Sequence, residues 1–102
     1  MRRGEVWWAR LGDGTQRPYV ILTRDVAIPL LHSIIAVPAT RTVRGIPTEV
    51  ELDEQDGMPH SCALTLDNLQ LMPKDMFVSP ICRLGPHKLR EVCVAMALSI
   101  DC

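Results

Sequence analysis

Two short clusters carry the side chains best suited to chemistry on an anion. Arg17-Pro18 stands at the mouth of the apolar run Tyr19 to Leu22, where the proline stiffens the entry and restricts the backbone of the arginine before it. A guanidinium held at a strand edge presents a planar fork of donors that matches phosphate oxygens two at a time. The second cluster is Val37-Pro38-Ala39-Thr40-Arg41-Thr42-Val43-Arg44-Gly45-Ile46-Pro47, a strand end running into a basic connection in which hydroxyls and guanidiniums interleave. A loop beside rigid strands is where binding residues usually sit, and these donors suit phosphate. Each pattern alone is also the ordinary make-up of a solvated turn or a strand start. His32, His60 and His87 are scattered, and Cys62, Cys82, Cys93 and Cys102 form no Cys-x-x-Cys pair, so no zinc cluster and no redox motif is expected.

Charge is distributed unevenly. The net charge is −1, yet the first 48 residues carry seven arginines against three acids, while residues 49–67 carry six acids and no base. Nine of the eleven bases are arginine, which keeps an anionic partner in view beside the plainer reading of a mixed, solvated surface. The acidic stretch should repel such a partner and reads as a solvated rim. No apolar stretch approaches the roughly 18 residues of a membrane span, and no export signal follows the basic N-terminus. The expected setting is the cytoplasm, with free and mostly buried thiols.

The elements that must position these clusters are strands. Eight prolines, from Pro18 to Pro86, leave no room for a long helix before the last stretch. Strand-sized runs rich in β-branched and aromatic residues cover Glu5–Leu11, Tyr19–Thr23, Ser33–Ala39, Thr48–Leu52 and Ser61–Leu69. Met76–Leu84 reads as a weaker strand that Pro80 confines to an edge or a bulge. Thr48–Leu52 alternates as a strand with one wet face; Tyr19–Leu22 reads as buried on both faces. Asp13-Gly14 suits a tight turn between the first two strands, and Asp25–His32 is a loop or a short helix broken at Pro29. Beyond Gly85-Pro86, the residues Leu89, Val92, Cys93, Met96 and Ile100 fall on one helical face. Together these predict one domain over residues 1–102, mainly β with a C-terminal helix, as a small antiparallel barrel or half-barrel with the helix packed against it.

The order Arg3–Trp8 (RGEVWW), Arg17–Leu22 (RPYVIL), Ile34–Leu52 (IIAVPATRTVRGIPTEVEL) and Cys62–Leu69 (CALTLDNL) resembles the MazF/PemK family of toxin endoribonucleases. The resemblance runs over nearly the whole chain before the terminal helix. It implies an SH3-like barrel of the CcdB/PemK type, a homodimer, and sequence-selective cleavage of single-stranded RNA without a metal or other cofactor, inhibited by a cognate antitoxin protein. By it, Arg17 matches the catalytic arginine before proline, Thr40 the catalytic threonine after Val-Pro-x, and Asp67 a carboxylate that acts in some members. Arg44 matches a basic position that binds backbone phosphate, with Arg41 and Thr42 as further RNA contacts.

Elementary chemistry agrees with the first two assignments. Attack of a ribose 2′-hydroxyl on the adjacent phosphate builds negative charge on the non-bridging oxygens and leaves a 2′,3′-cyclic phosphate and a 5′-hydroxyl. An arginine fork and a threonine hydroxyl can stabilise that charge. The proton acceptor is less obvious, because guanidinium stays protonated and a hydroxyl is a poor base. Asp67 is the candidate, as base or as ribose-orienting group, beside the reading of an aspartate that caps a strand end; His32 and His60 in loops and His87 in the first helical turn are weaker alternatives for the base.

Three further expectations bear on the site. The connection Gly12-Asp13-Gly14-Thr15-Gln16 lacks the Gly-Ser-Glu sequence many relatives carry before Arg-Pro. The resemblance implies that this loop admits and reads RNA, so Thr15 and Gln16 are expected RNA contacts, but no relative's target sequence can be carried over. Trp7 and Trp8, adjacent in a strand, must face opposite sides, one filling the core and the other a second surface. Glu5 should pair with a basic neighbour. The alternative function is that of a non-enzymatic, CcdB-like toxin that binds and inhibits DNA gyrase, which has no need of a paired Arg17 and Thr40.

Overall fold

The computed structural model describes residues 1–101. Seven antiparallel strands, β1 Glu5–Arg10, β2 Gln16–Ile21, β3 Ser33–Thr40, β4 Glu49–Leu52, β5 Cys62–Thr65, β6 Gln70–Pro73 and β7 Phe77–Arg83, precede one helix, α1 Pro86–Ser99. They form one sheet in the order β4-β5-β3-β2-β1-β7, with β6 also paired to β3. The sheet is not closed: β4 and β7 remain as edges, so of the expected barrel or half-barrel the open form is the one found. Helix α1 lies against its concave side, where Val92 and Ala95 join Val6, Val20, Val37, Val50, Leu52, Leu64 and Leu66 in the main core. Leu89 and Met96 pack at the margin of that core. Ile100 leaves the expected helical face, because the helix ends at Ser99 and the side chain beyond it turns outward. Among the described residues, no helix is long and apolar enough to cross a membrane.

The β1–β2 hairpin turns where Asp13-Gly14 predicts. Gly14 takes φ +86°, a value that favours glycine, and its N–H donates to the Leu11 carbonyl at 2.9 Å. The Asp13 carboxylate accepts from the Thr15 N–H at 2.9 Å and the Thr15 hydroxyl at 2.6 Å. Strand β2 starts three residues earlier than its apolar run, so Arg17 and Pro18 lie inside it and pair with Ala9 and Trp8. Proline is tolerated there because β3 joins β2 only from Tyr19 onward. Tyr19 to Leu22 is buried throughout, as its unbroken apolarity implies.

The run Ser61–Leu69 is not one strand. Leu66–Asn68 forms a single 3₁₀ turn that separates β5 from β6. Both strands lie along the same edge of β3, β5 against Ala39 and Thr40 and β6 against Ser33 to Ala36. The turn inserts Leu66 into the core at 1% exposure, and that burial outweighs continued pairing. Strand β7, with Pro80, is the edge its proline predicts and shifts register twice against β1. Ile28–Leu30 is a short 3₁₀ helix with Pro29 inside it, not at a break.

Neither tryptophan enters the main core. Trp7 packs on the cluster Ile21, Ile28 and Ile34 on the outer face of the sheet, whereas Trp8 lines a cleft at the sheet's end. Among the described residues Glu5 pairs with no basic side chain: one of its oxygens accepts from the Arg2 backbone N–H at 2.7 Å and the Trp7 indole N–H at 3.1 Å.

Candidate active site

The β2–β3 register is Tyr19 opposite Pro38, Val20 opposite Val37 and Ile21 opposite Ala36, and pairing stops at Tyr19. Continued two residues further, that register sets Arg17 against Thr40. Directly opposed residues of an antiparallel pair project to the same face, so the two side chains share one side of the sheet where the strands part. The gap is a cleft of about 360 Å³. Gln16, Arg17 and Pro18 form one wall; Thr40, Arg41 and Thr42 form the other. Trp8 comes from β1, and Met58, Pro59, His60 and Cys62 come from the β4–β5 connection and the start of β5.

The donors in this cleft are available. Arg17 is exposed, and among the described residues its guanidinium makes no hydrogen bond or ion pair. Thr40 is half-buried and its hydroxyl oxygen accepts from the Thr42 N–H at 3.2 Å, which orients the hydroxyl and leaves its hydrogen for another acceptor. Arg41 and Thr42 are exposed on the same wall. The Thr15 hydrogen bonds, the hydroxyl first, hold the Asp13 carboxyl below the usual aspartate range, with the nearby Arg17 charge a smaller influence.

Three expected site residues lie elsewhere. Thr15 is bound into the hairpin turn and does not line the cleft, although its neighbour Gln16 does. Arg44 lies on the exposed loop beyond Thr42; its backbone N–H and that of Gly45 donate to one Glu49 oxygen at 2.9 and 3.1 Å. Asp67 sits in the β5–β6 turn, outside the cleft, and its carboxylate accepts from the Thr48 hydroxyl at 2.6 Å.

The family of PemK-like, MazF-like toxins of type II toxin–antitoxin systems matches this chain over residues 2–100. The chain belongs to the PemK/MazF toxin family. Two Mycobacterium tuberculosis proteins are each 37% identical to this PemK/MazF chain. One is named "Probable endoribonuclease MazF5", with 98% of this chain and 93% of the relative covered; the other is "Probable endoribonuclease MazF2", with both chains covered completely. The solved Mycobacterium tuberculosis toxin MazF-mt6 superposes with a TM-score of 0.87 at 31% identity, covering 95% of this chain and 96% of its own. A mycobacterial endoribonuclease solved with its cognate antitoxin shares the fold at a TM-score of 0.89 and 24% identity, covering 98% and 94%.

In this PemK/MazF chain the acidic stretch is more than a rim. Glu49 clamps the loop after β3 through the two backbone N–H groups, while Asp53 and Asp56 cap each other's backbone in the 3₁₀ turn Glu54–Asp56. That turn ends at Gly57, φ +99°, where a Cβ would meet Cys82 Cβ at 2.7 Å. It delivers Met58, buried at 4% exposure with its sulfur 3.6 Å from Cys82 Sγ, to the cleft floor. Cys62, Cys82 and Cys93 are free thiols, as expected, with only Cys62 fully buried; Cys102 lies outside the described residues. Burial first and Asp56 second push the Cys62 thiol up, so it remains protonated and inert as a nucleophile near neutrality.

His60 and Trp8 line the cleft although sequence reasoning ranked neither among the site residues, His60 standing there only as one of three weaker candidate bases. Nothing in the local spacing distinguishes His60 from the other two histidines. The distinguishing fact is long-range: Thr40 pairs with Ala63, which sets the residues just before Cys62 beside the end of β3.

Proposed function

We propose that this MazF-type toxin endoribonuclease cleaves single-stranded RNA in the Arg17–Thr40 cleft by attack of a ribose 2′-hydroxyl on the adjacent phosphate. The products are a 2′,3′-cyclic phosphate and a 5′-hydroxyl. The supporting observation is the meeting of Arg17 and Thr40 across diverging strands, both with free donors, in a cleft whose neighbouring loop adds Arg41. The Arg17 fork binds the two non-bridging oxygens, and the Thr40 hydroxyl donates to the charge that grows as phosphorus becomes five-coordinate. Such preorganised donors act on charge that is larger in the transition state than in the bound RNA. Gln16, Arg41 and Thr42 hold the flanking nucleotides, and Trp8 offers a ring on which a base can stack. Arg44 and Thr15 lie further along the same two loops and would meet RNA beyond the scissile step. Asp67 acts through Thr48 as a positioning residue of the turn and does not reach the phosphate.

The same reading includes a homodimer, a cognate antitoxin and a cytoplasmic setting. Exposed Val26, Leu30 and Leu71, and Val94 and Leu98 on the outer helix face, are apolar side chains that a second copy and an antitoxin would cover.

The test is incubation of the purified protein with a long mixed-sequence RNA in excess EDTA, followed by mapping of the cut ends. Discrete cuts with 5′-hydroxyl and cyclic-phosphate ends, absent with a folded Arg17→Ala variant, support the reading. No cuts from folded, antitoxin-free protein refute it.

A further inference from the structure

Cleavage by a 2′-hydroxyl requires a group that takes its proton, and neither Arg17 nor Thr40 can do so. Resting on the nuclease reading above, we infer that His60 is that group: its neutral imidazole accepts the 2′-hydroxyl proton in the cleft.

The turn that carries His60 is held on both sides. Met58 is buried and its N–H donates to the Asp53 carbonyl at 3.2 Å, Pro59 stiffens the next step, and Cys62 is buried in the β4–β5 ladder opposite Leu52. Between those anchors His60 is exposed and lines the cleft, and among the described residues its ring has no hydrogen bond or ion pair. An imidazole at such a site is free to exchange protons with a bound substrate.

The other titratable groups around the cleft do not serve. From β2 comes Arg17 and from the segment after β3 comes Arg41, both fixed cations. From β5 comes Cys62, whose thiol burial and Asp56 hold protonated. The carboxylates of the preceding 3₁₀ turn, Asp53 and Asp56, are engaged in its capping box. Glu54 is exposed on that turn but is not part of the cleft wall, and Asp67 is held by Thr48. His32 and His87 lie outside the cleft, with His87 3.6 Å from Glu91. Among the described residues of the wall, His60 is thus the side chain that offers a basic nitrogen lone pair to a bound substrate.

The step balances without a metal or redox partner. The 2′-oxygen bonds to phosphorus as its proton passes to the His60 ring, and the bond from phosphorus to the 5′-oxygen breaks. The departing 5′-oxygen takes a proton from water, and the imidazolium returns its own proton to the resulting hydroxide.

The experiment is single-turnover cleavage by wild-type protein and by His60→Ala and His60→Gln across pH 5 to 9, in EDTA, at a mapped cut site. Binding is measured in parallel on the same RNA with a 2′-deoxy nucleotide at the scissile position. His60 variants are expected to lose about 10²- to 10⁴-fold in rate, the usual yield of a general base. They keep affinity for the uncleavable RNA and lose the rise of rate with pH on the acidic side. Added imidazole restores part of the rate to His60→Ala alone, because the position opens to solvent. A wild type that cuts in an Arg17-dependent way while both His60 variants match its rate and pH profile overturns this inference and leaves the nuclease reading standing. So does a rate loss matched by a loss of affinity. A folded wild type that binds but never cuts RNA overturns both.

Discussion

Replacing Thr40 by valine removes one hydroxyl while keeping the β-branched shape that the end of β3 favours. Among the described residues that hydroxyl has one partner: it accepts the Thr42 N–H at 3.2 Å at a solvent-accessible position. Losing such a bond costs at most about 1 kcal/mol of stability, because water can replace the acceptor. The cost to catalysis is larger. The hydroxyl hydrogen is unused in the free protein, so its bond to a phosphate oxygen forms fully only as that oxygen gains charge. One preorganised donor of this kind accounts for about 3 to 4 kcal/mol, or about 10²- to 10³-fold in rate. The assay is single-turnover cleavage in EDTA, paired with binding to the RNA carrying a 2′-deoxy scissile nucleotide. The expected result is that fall in rate with affinity held within about twofold, and substantial recovery in Thr40→Ser. A loss of affinity as large as the loss of rate would make Thr40 a ground-state contact and refute the argument.

Arg41→Ala should flatten the salt dependence of single-strand binding by about 0.7 in log–log slope, the value of one lost phosphate contact. The same measurement on Arg44→Ala tests whether the phosphate track extends past Thr42, and an unchanged slope ends it there. Glu49→Ala should destabilise the protein by about 1 kcal/mol and speed hydrogen exchange at Arg44 and Gly45, whereas Glu49→Gln, which keeps the acceptor, should leave both near wild type. Exchange at those two amides that does not respond to Glu49→Ala removes the clamp. The Asp13 carboxyl is held low by Thr15, so the turn gains stability above the ordinary aspartate pKa and loses it as pH falls through the depressed value. A carboxyl-carbon NMR titration should show Asp13 ionising below the ordinary aspartate value of about 3.9 and returning towards it in Thr15→Val; no return would assign the shift to another cause.

The parts of the fold written in local pattern were legible in the sequence: the β-rich body, the Asp13-Gly14 turn, the alternation of Thr48–Leu52, the edge strand at Pro80 and the terminal helix. What was not legible depends on distant partners. Leu66 reads as one more strand residue until α1 and β4 provide a core for it to enter, and only then does Ser61–Leu69 break into two strands. Glu49 looks like a member of an acidic run, yet its carboxylate is spent on backbone N–H groups four and five residues upstream. Ile100 continues a helical period whose helix has already ended. For the site, the motif resemblance picked out Arg17 and Thr40, and both line the cleft where β2 and β3 part. No local pattern selects His60, because what brings it to the cleft is the pairing of β3 with β5, two strands that are not neighbours in the chain.

The position of the cleft follows from the strands themselves. A continuous β2–β3 ladder would put the Arg17 and Thr40 backbones in hydrogen bonds to each other and leave no room for a substrate. Pro18, which has no N–H to give, sits where that ladder stops. On the opposite side, Thr40 pairs with Ala63 of β5, so this wall of the cleft is held from behind while its front edge is released. The segments at the mouth are anchored just outside it, the β1–β2 turn by Asp13, the loop after β3 by Glu49, and the His60 turn by Met58. Changes at Gln16, Arg41, Thr42 or Pro59 can therefore alter which nucleotides enter without disturbing the core that opposes Arg17 to Thr40. That separation is what would let one sheet serve different RNA sequences with the same phosphoryl chemistry.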